Sequence, residues 1–249
     1  MSLLTRRLNN FVSLPAADQQ ALLDAICHTR ELESHEDLIR EGEATGNANV
    51  ILSGFACRHK TLPDGRRQII GYLLPGDAAN LHVCLSRRMD HSITALSAVK
   101  AGVVRGETAT ALAVRYPRLG RAFRWAALVD ESVSREWLLN VGQRTALERL
   151  AHLLCEIFVR LRAVGLVDND TCVLPVTQAE LADTLALSTV HVNRTLQELR
   201  RQGLVSMRDR SLSIHDFNAL QAMAMFRPDY LHLDGERSVA QDRRIPELR

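Results

Sequence analysis

The stretch VTQAELADTLALSTVHVNRTLQELRRQGLVSMRDRSLSIHD, residues 176–216, decides the reading of this chain. Thr177 followed three residues later by Glu180 is a capping box, so a helix starts here. Leu181, Ala182 and Leu185 give that helix an inward face. Ala186 and Leu187 form a turn, and Ser188 caps a second helix. Val192, Leu196 and Leu199 then fall at i, i+4 and i+7, one buried stripe. The opposite face carries Thr189, Val190, Asn193, Arg194, Gln197 and Arg201, and Gly203 closes the helix in the C′ role. VSMRDRSLSIHD alternates like a small hairpin with Asp209 near its tip. Two short helices, a tight turn and a basic hairpin make a winged helix-turn-helix, whose second helix fits the major groove of double-stranded DNA. Asn193 and Arg194 can make bidentate contacts to adenine and guanine. Thr189 and Val190 stand at the entering end, within reach of a thymine methyl. Gln178, Ser188 and His191 suit phosphates, aided by the helix N-termini. Arg208 and Arg210 extend from the wing.

Upstream, TALERLAHLLCEIFVRLRAVG repeats apolar residues at Leu147, Leu150, Ala151, Leu154, Ile157, Phe158 and Leu161, which predicts a buried helix ending near Gly165. RLGRAFRWAALVDESVSREWLLNVG predicts a long helix over about 115–140. Its stripe of Leu119, Phe123, Ala126, Ala127, Val133, Trp137 and Leu138 packs either on its own domain or on a copy of itself. Earlier still, from Leu32 to Glu107, glycines interrupt short apolar runs, the pattern of an antiparallel sandwich or barrel. CRHKTLPDGRRQIIGYLL is its clearest hairpin, turning at Pro63-Asp64-Gly65. Residues 15–29 predict a short helix opened by Pro15. From Pro228 the sequence is charge-rich and without period, and reads as a tail.

The chain has 249 residues and a net charge of +2, with 46% hydrophobic and 24% charged residues. That is an ordinary soluble composition, with no apolar run of membrane-spanning length and no signal-peptide core, so the cytoplasm is expected and a membrane is not. Cys27, Cys57, Cys84, Cys155 and Cys172 are widely spaced, which predicts reduced thiols rather than disulfides or a zinc ribbon. Of these, Cys155 reads as core and Cys172 as the better candidate for a redox-active thiol. No nucleophile elbow, phosphate loop or metal-ligand spacing points to an enzyme. His191 with Asp183 reads more simply as a phosphate or capping contact.

With these segments in order, the chain resembles the CRP/FNR family of bacterial transcription regulators over about residues 10–226. REGEATGNANVILSG (40–54), LPDGRRQIIGYLLPGD (62–77) and TQAELADTLALSTVHVNRTLQELRRQGLV (177–205) carry the resemblance. It implies an α+β architecture: an N-terminal antiparallel, jelly-roll-like β-roll of the cyclic-nucleotide-binding type over 1–112, a long dimerisation helix over 113–141, a C-terminal winged helix-turn-helix over 142–227, and a tail over 228–249. It also implies a homodimer on a pseudo-palindromic site, working with RNA polymerase. The family's base readers include a glutamate near the start of the recognition helix; Val190 stands there, with Asn193 and Arg194 following. The resemblance therefore implies a half-site other than TGTGA or TTGAT.

The sensor half departs further. Where cyclic-nucleotide binders of the family carry Gly-Glu and Arg-Ser, this chain resembles them only in position, with Asn80-Leu81 and Asp90-His91-Ser92. An aspartate facing a phosphate repels it, so cAMP is not expected, although Arg87 and Arg88 leave an alternative anion site beside His91 and Ser92. One cysteine ahead of Cys57 is too few for the iron–sulfur centre of the oxygen-sensing branch. His82 and Cys84 match the region of the CO-sensing branch's haem ligands, but no haem is expected. The competing expectation is a small-molecule, redox or haem sensor whose DNA-binding domain has degenerated.

Overall fold

The computed structural model describes residues 1–80 and 88–235. Leu81, His82, Cys84, Arg87 and residues 236–249 therefore lie outside the described residues. Among the described residues, seven strands build the N-terminal roll: β1 (His28–Leu32), β2 (Asp37–Ile39), β3 (Asn47–Ser53), β4 (Ala56–Thr61), β5 (Arg67–Leu73), β6 (Ser92–Ala95) and β7 (Val99–Arg105). They form two antiparallel sheets, ordered β1-β7-β3 and β2-β6-β4-β5. Leu32, Ile51, Leu73, Ile93 and Ala101 are buried together in the roll's core. The 62–66 turn between β4 and β5 is the hairpin expected from Pro63-Asp64-Gly65.

Two short helices precede the roll, α1 (Leu3–Asn9) and α2 (Ala16–Asp24). The second is shorter than the 15–29 expected. Cys27 N–H already bonds Val103 O at 2.9 Å and His28 begins β1, so sheet pairing takes the chain over. After the roll, α3 (Gly106–Arg115) gives way to α4 (Pro117–Gln143). A single helix running through 115 is excluded at Tyr116 (φ −120°, ψ 87°), because a residue before proline is driven out of the helical region. The stripe on α4 is buried only in part. Leu119, Val133 and Trp137 are buried in this chain's own core, whereas Leu138 stands 77% exposed.

The C-terminal half begins with α5 (Ala146–Ala163), whose residues 150–161 are all buried. Next come a short hairpin, β8 (Val167–Asp168) and β9 (Thr171–Val173), then α6 (Gln178–Leu185), α7 (Thr189–Arg201), β10 (Val205–Arg208), β11 (Ser211–Ile214) and α8 (Phe217–Met223). The wing extends into a four-stranded sheet of order β10-β11-β9-β8. Asp209 and Arg210 both take positive φ (47° and 61°), the two-residue turn that matches strand twist.

The expected tail is corrected over its first eight residues. Pro228–Leu231 forms a 3-10 turn, and Leu231 is fully buried. Gly235 passes so close to α1 that a Cβ there would sit 2.3 Å from Phe11 O. This strap runs from the DNA-binding half back to the N-terminus, and the apolar side chains between its charges hold it.

Candidate DNA interface and effector cleft

The geometry of α6 and α7 follows from their caps. Thr177 Oγ1 accepts from Glu180 N–H at 3.2 Å while Glu180 Oε2 accepts from Thr177 N–H at 2.6 Å, completing the capping box. Ala186, in the left-handed region at φ 53°, ends α6, and Ser188 Oγ accepts from His191 N–H at 3.2 Å to start α7. Leu181, Leu185, Val192, Leu196 and Leu199 are buried beneath. Gly203, at φ 70°, terminates the region with the conformation that favours glycine.

Seen from outside, α7 presents Thr189, Val190, His191, Arg194 and Gln197 as exposed residues, with Val190 60% accessible. Asn193 is half-buried between Gln178 and Gln197, bonded to both. Arg201 is committed locally: it donates to both Glu198 oxygens at 2.9 and 2.7 Å, and those bonds hold Glu198 down to about 2. Arg200 donates to Met207 O at 3.1 Å and ties the end of α7 to the wing, where Arg208 stands exposed. Sequence reasoning missed Thr145. It caps α5 through a second capping box with Glu148, and it shares a shallow trough with Ser188, Val190, His191 and Arg194. The Thr145-x-x-Glu148 spacing was the available signal.

The hairpin β4–β5 docks on α6. Tyr72 Oη lies 2.6 Å from Thr184 Oγ1 in a buried contact, Gln68 Nε2 donates to Thr184 O at 3.0 Å, and Arg67 pairs with Asp183 at 2.8 Å. Deeper in, Asp77 accepts from Arg160 at 2.6 Å and from Arg7 at 3.0 Å. Arg160 also reaches Glu156, which receives Trp137 Nε1 and Tyr230 Oη, each at 2.9 Å. One buried polar chain thus joins α1, the roll, α4, α5 and the strap.

A cleft of about 640 Å³ separates the roll from α4. Of the expected pocket residues, Asn80 and His91 line it. Asn80 is buried and already engaged, accepting from Asn49 N–H at 2.7 Å and donating to Asn47 O at 2.9 Å. His91 Nδ1 meets Asp90 at 2.8 Å, while burial holds its pKa below the usual value. Ser92 accepts from Glu41 N–H at 2.9 Å and Arg88 donates to Gly42 O at 2.8 Å. Asp90, Asp130 and Glu131 also line the cleft, and Asp130 pairs with Arg58 at 2.9 Å. Glu131 pairs in turn with Arg135, and Arg58 and Arg124 line the same cleft. Cys172, the expected redox candidate, is buried on β9, which pushes its thiol up to about 11 and disfavours reactivity, whereas Cys27 is exposed. Among the described residues no cluster of three or more metal-ligating side chains forms.

Residues 148–223 match the Crp-like helix-turn-helix domain, and residues 29–116 match the cyclic nucleotide-binding domain. The nitrogen fixation regulation protein FixK of Bradyrhizobium diazoefficiens is 31% identical over 191 residues, 77% of this chain and 79% of that protein. The chain belongs to the CRP/FNR family of transcription regulators. Among other CRP/FNR relatives, the transcriptional activator protein FnrL of Cereibacter sphaeroides is 28% identical across 82% of this chain and 83% of its own. The solved structure of FixK2 from Bradyrhizobium japonicum shares the fold with a TM-score of 0.71 at 23% identity, covering 79% of this chain and 96% of that one. Among the described residues no helix is long and apolar enough to cross a membrane.

Proposed function

We propose that the chain acts as a homodimer on pseudo-palindromic double-stranded DNA, laying one α7 in each of two successive major grooves and regulating transcription through RNA polymerase. The observation that carries this reading is the outward face of α7, where Thr189, Val190, Asn193, Arg194 and Gln197 lie over a fully packed helix-turn-helix. The outer face of α4 supports the dimer. Leu128, Leu138 and Leu139 all stand exposed along it, apolar side chains that a paired helix would cover. Two copies joined along it would hold their recognition helices about 34 Å apart. Val190 in place of an acidic reader removes acceptance of a cytosine amino group, so the half-site departs from TGTGA and TTGAT. The effector in this reading is not a cyclic nucleotide; Asp90, Asp130 and Glu131 at the cleft support that, since a carboxylate disfavours a phosphate beside it. The place of action is the cytoplasm.

Selection of binding sites from random DNA with the full chain, paired with light-scattering mass, tests this. An inverted repeat bound by a dimer is expected, and Leu138→Arg should shift the mass toward the monomer and weaken binding. Unselective retention, or one unrepeated element bound by a monomer, overturns the reading.

A further inference from the structure

Three amide side chains form a chain across the groove-facing surface, linking two helices. Asn193 Nδ2 donates to Gln178 Oε1 at 3.2 Å, and Gln197 Nε2 donates to Asn193 Oδ1 at 2.9 Å. Gln178 is the first residue of α6, while Asn193 and Gln197 stand one turn apart on α7. Asn193 is thus held from both sides, whereas Thr189, Val190 and Arg194 project into solvent.

A primary amide has two N–H donors and two lone pairs. Asn193 gives one N–H to Gln178 and takes one from Gln197, so one donor and one acceptor remain. Adenine offers a complementary pair in the major groove, the N6 donor beside the N7 acceptor. An unrestrained asparagine would lose side-chain freedom on meeting that edge; here the protein fixes the plane of the amide beforehand. From this we infer that Gln178 and Gln197 are positioning residues that set Asn193 to read adenine, so that preference at one base pair of each half-site depends on both glutamines. The inference rests on the proposed DNA reading and assigns Gln178 a role other than a phosphate contact.

The polarity of the relay makes it testable. Position 178 needs only an acceptor and position 197 needs a donor. Gln178→Glu should therefore preserve the base preference, while its added charge weakens all sites alike. Gln197→Glu should abolish the preference, since a carboxylate cannot donate to Asn193 Oδ1.

The experiment takes the site selected by the wild-type full chain, substitutes each base pair of a half-site in turn, and measures affinities for wild type, N193A, Q178A, Q178E, Q197A and Q197E. Circular dichroism checks that each variant is folded. N193A should flatten one A·T position, a preference of roughly tenfold or more in wild type, and Q178A, Q197A and Q197E should flatten the same position. If N193A flattens no position, the base-reading role of Asn193 fails, and the inference falls with it. If N193A flattens one position but the glutamine variants weaken every site equally, Asn193 still reads DNA and the relay is refuted. Retention with Q197E and loss with Q178E refutes it too, by reversing the polarity.

Discussion

Replacing Asp77 with asparagine removes one negative charge from between two buried guanidiniums while changing almost no volume. Asp77 Oδ2 accepts from Arg160 at 2.6 Å and from Leu74 N–H at 2.8 Å, and Oδ1 accepts from Arg7 at 3.0 Å. The asparagine oxygen can keep the first two partners, which turns its NH2 against Arg7. Arg160 retains Glu156 at 3.1 Å, so Arg7 bears the loss. Its side chain is only 8% exposed, and its Nη1 already has no hydrogen-bond partner. Leaving one member of a buried pair uncompensated costs about 3–5 kcal/mol, a large share of a stability of roughly 5–15 kcal/mol. Urea denaturation at fixed protein concentration, followed by tryptophan fluorescence, should show a midpoint lower by about 1–2 M. The pH dependence has a definite sign. Burial opposes ionisation of Asp77, but Arg160 and Arg7 together outweigh it and hold the carboxyl below its usual value. Its stabilisation is therefore complete above the unfolded pKa of about 3.9 and is lost as pH falls through the lower folded value. The gap between wild type and D77N should narrow in acid. A difference under 1 kcal/mol at neutral pH, or one unchanged on acidification, refutes the argument.

Thr177→Ala breaks the capping box of α6 and should cost about 0.5–2 kcal/mol, measured by the same denaturation. Arg194→Ala should weaken operator binding by about 1–3 kcal/mol, whereas Arg201→Ala should change it little, because Glu198 already holds that guanidinium; equal losses in a gel-shift titration would contradict the assignment. In the native protein, iodoacetamide followed by mass spectrometry should label the exposed Cys27 while sparing Cys57, Cys155 and Cys172, whose thiols burial raises to about 12, 12 and 11. Labelling of Cys172 at the rate of Cys27 would contradict its placement on β9.

The helix-turn-helix was legible because local chemistry specifies it: two caps, a three-residue turn and a strict apolar stripe need no distant partner. The β4–β5 hairpin was legible for the same reason. What sequence concealed was long-range. Nothing local marks Arg7, Glu156 and Arg160 for burial, yet each is buried because a partner arrives from another part of the chain. The strap read as a tail because the charged Arg227 and Asp229 lie between the residues that anchor it, Phe226 and Leu231. The stripe on α4 contained the right residues for two different faces, and only packing separated Trp137 from Leu138. Asn80 attracted notice by its place in a family pattern, while its partners Asn47 and Asn49 lie some thirty residues earlier on β3.

The buried chain from Arg7 through Asp77 and Arg160 to Glu156 also bears on modularity. A DNA-binding fragment cut at the start of α5 would carry Glu156 and Arg160 away from Asp77 and Trp137, stranding a carboxylate and a guanidinium that the intact protein satisfies across the cut. Sensor and reader are therefore welded into one cooperative unit. Exchanging the sensor for another of the same fold requires transplanting the aspartate, the tryptophan and the first helix with it.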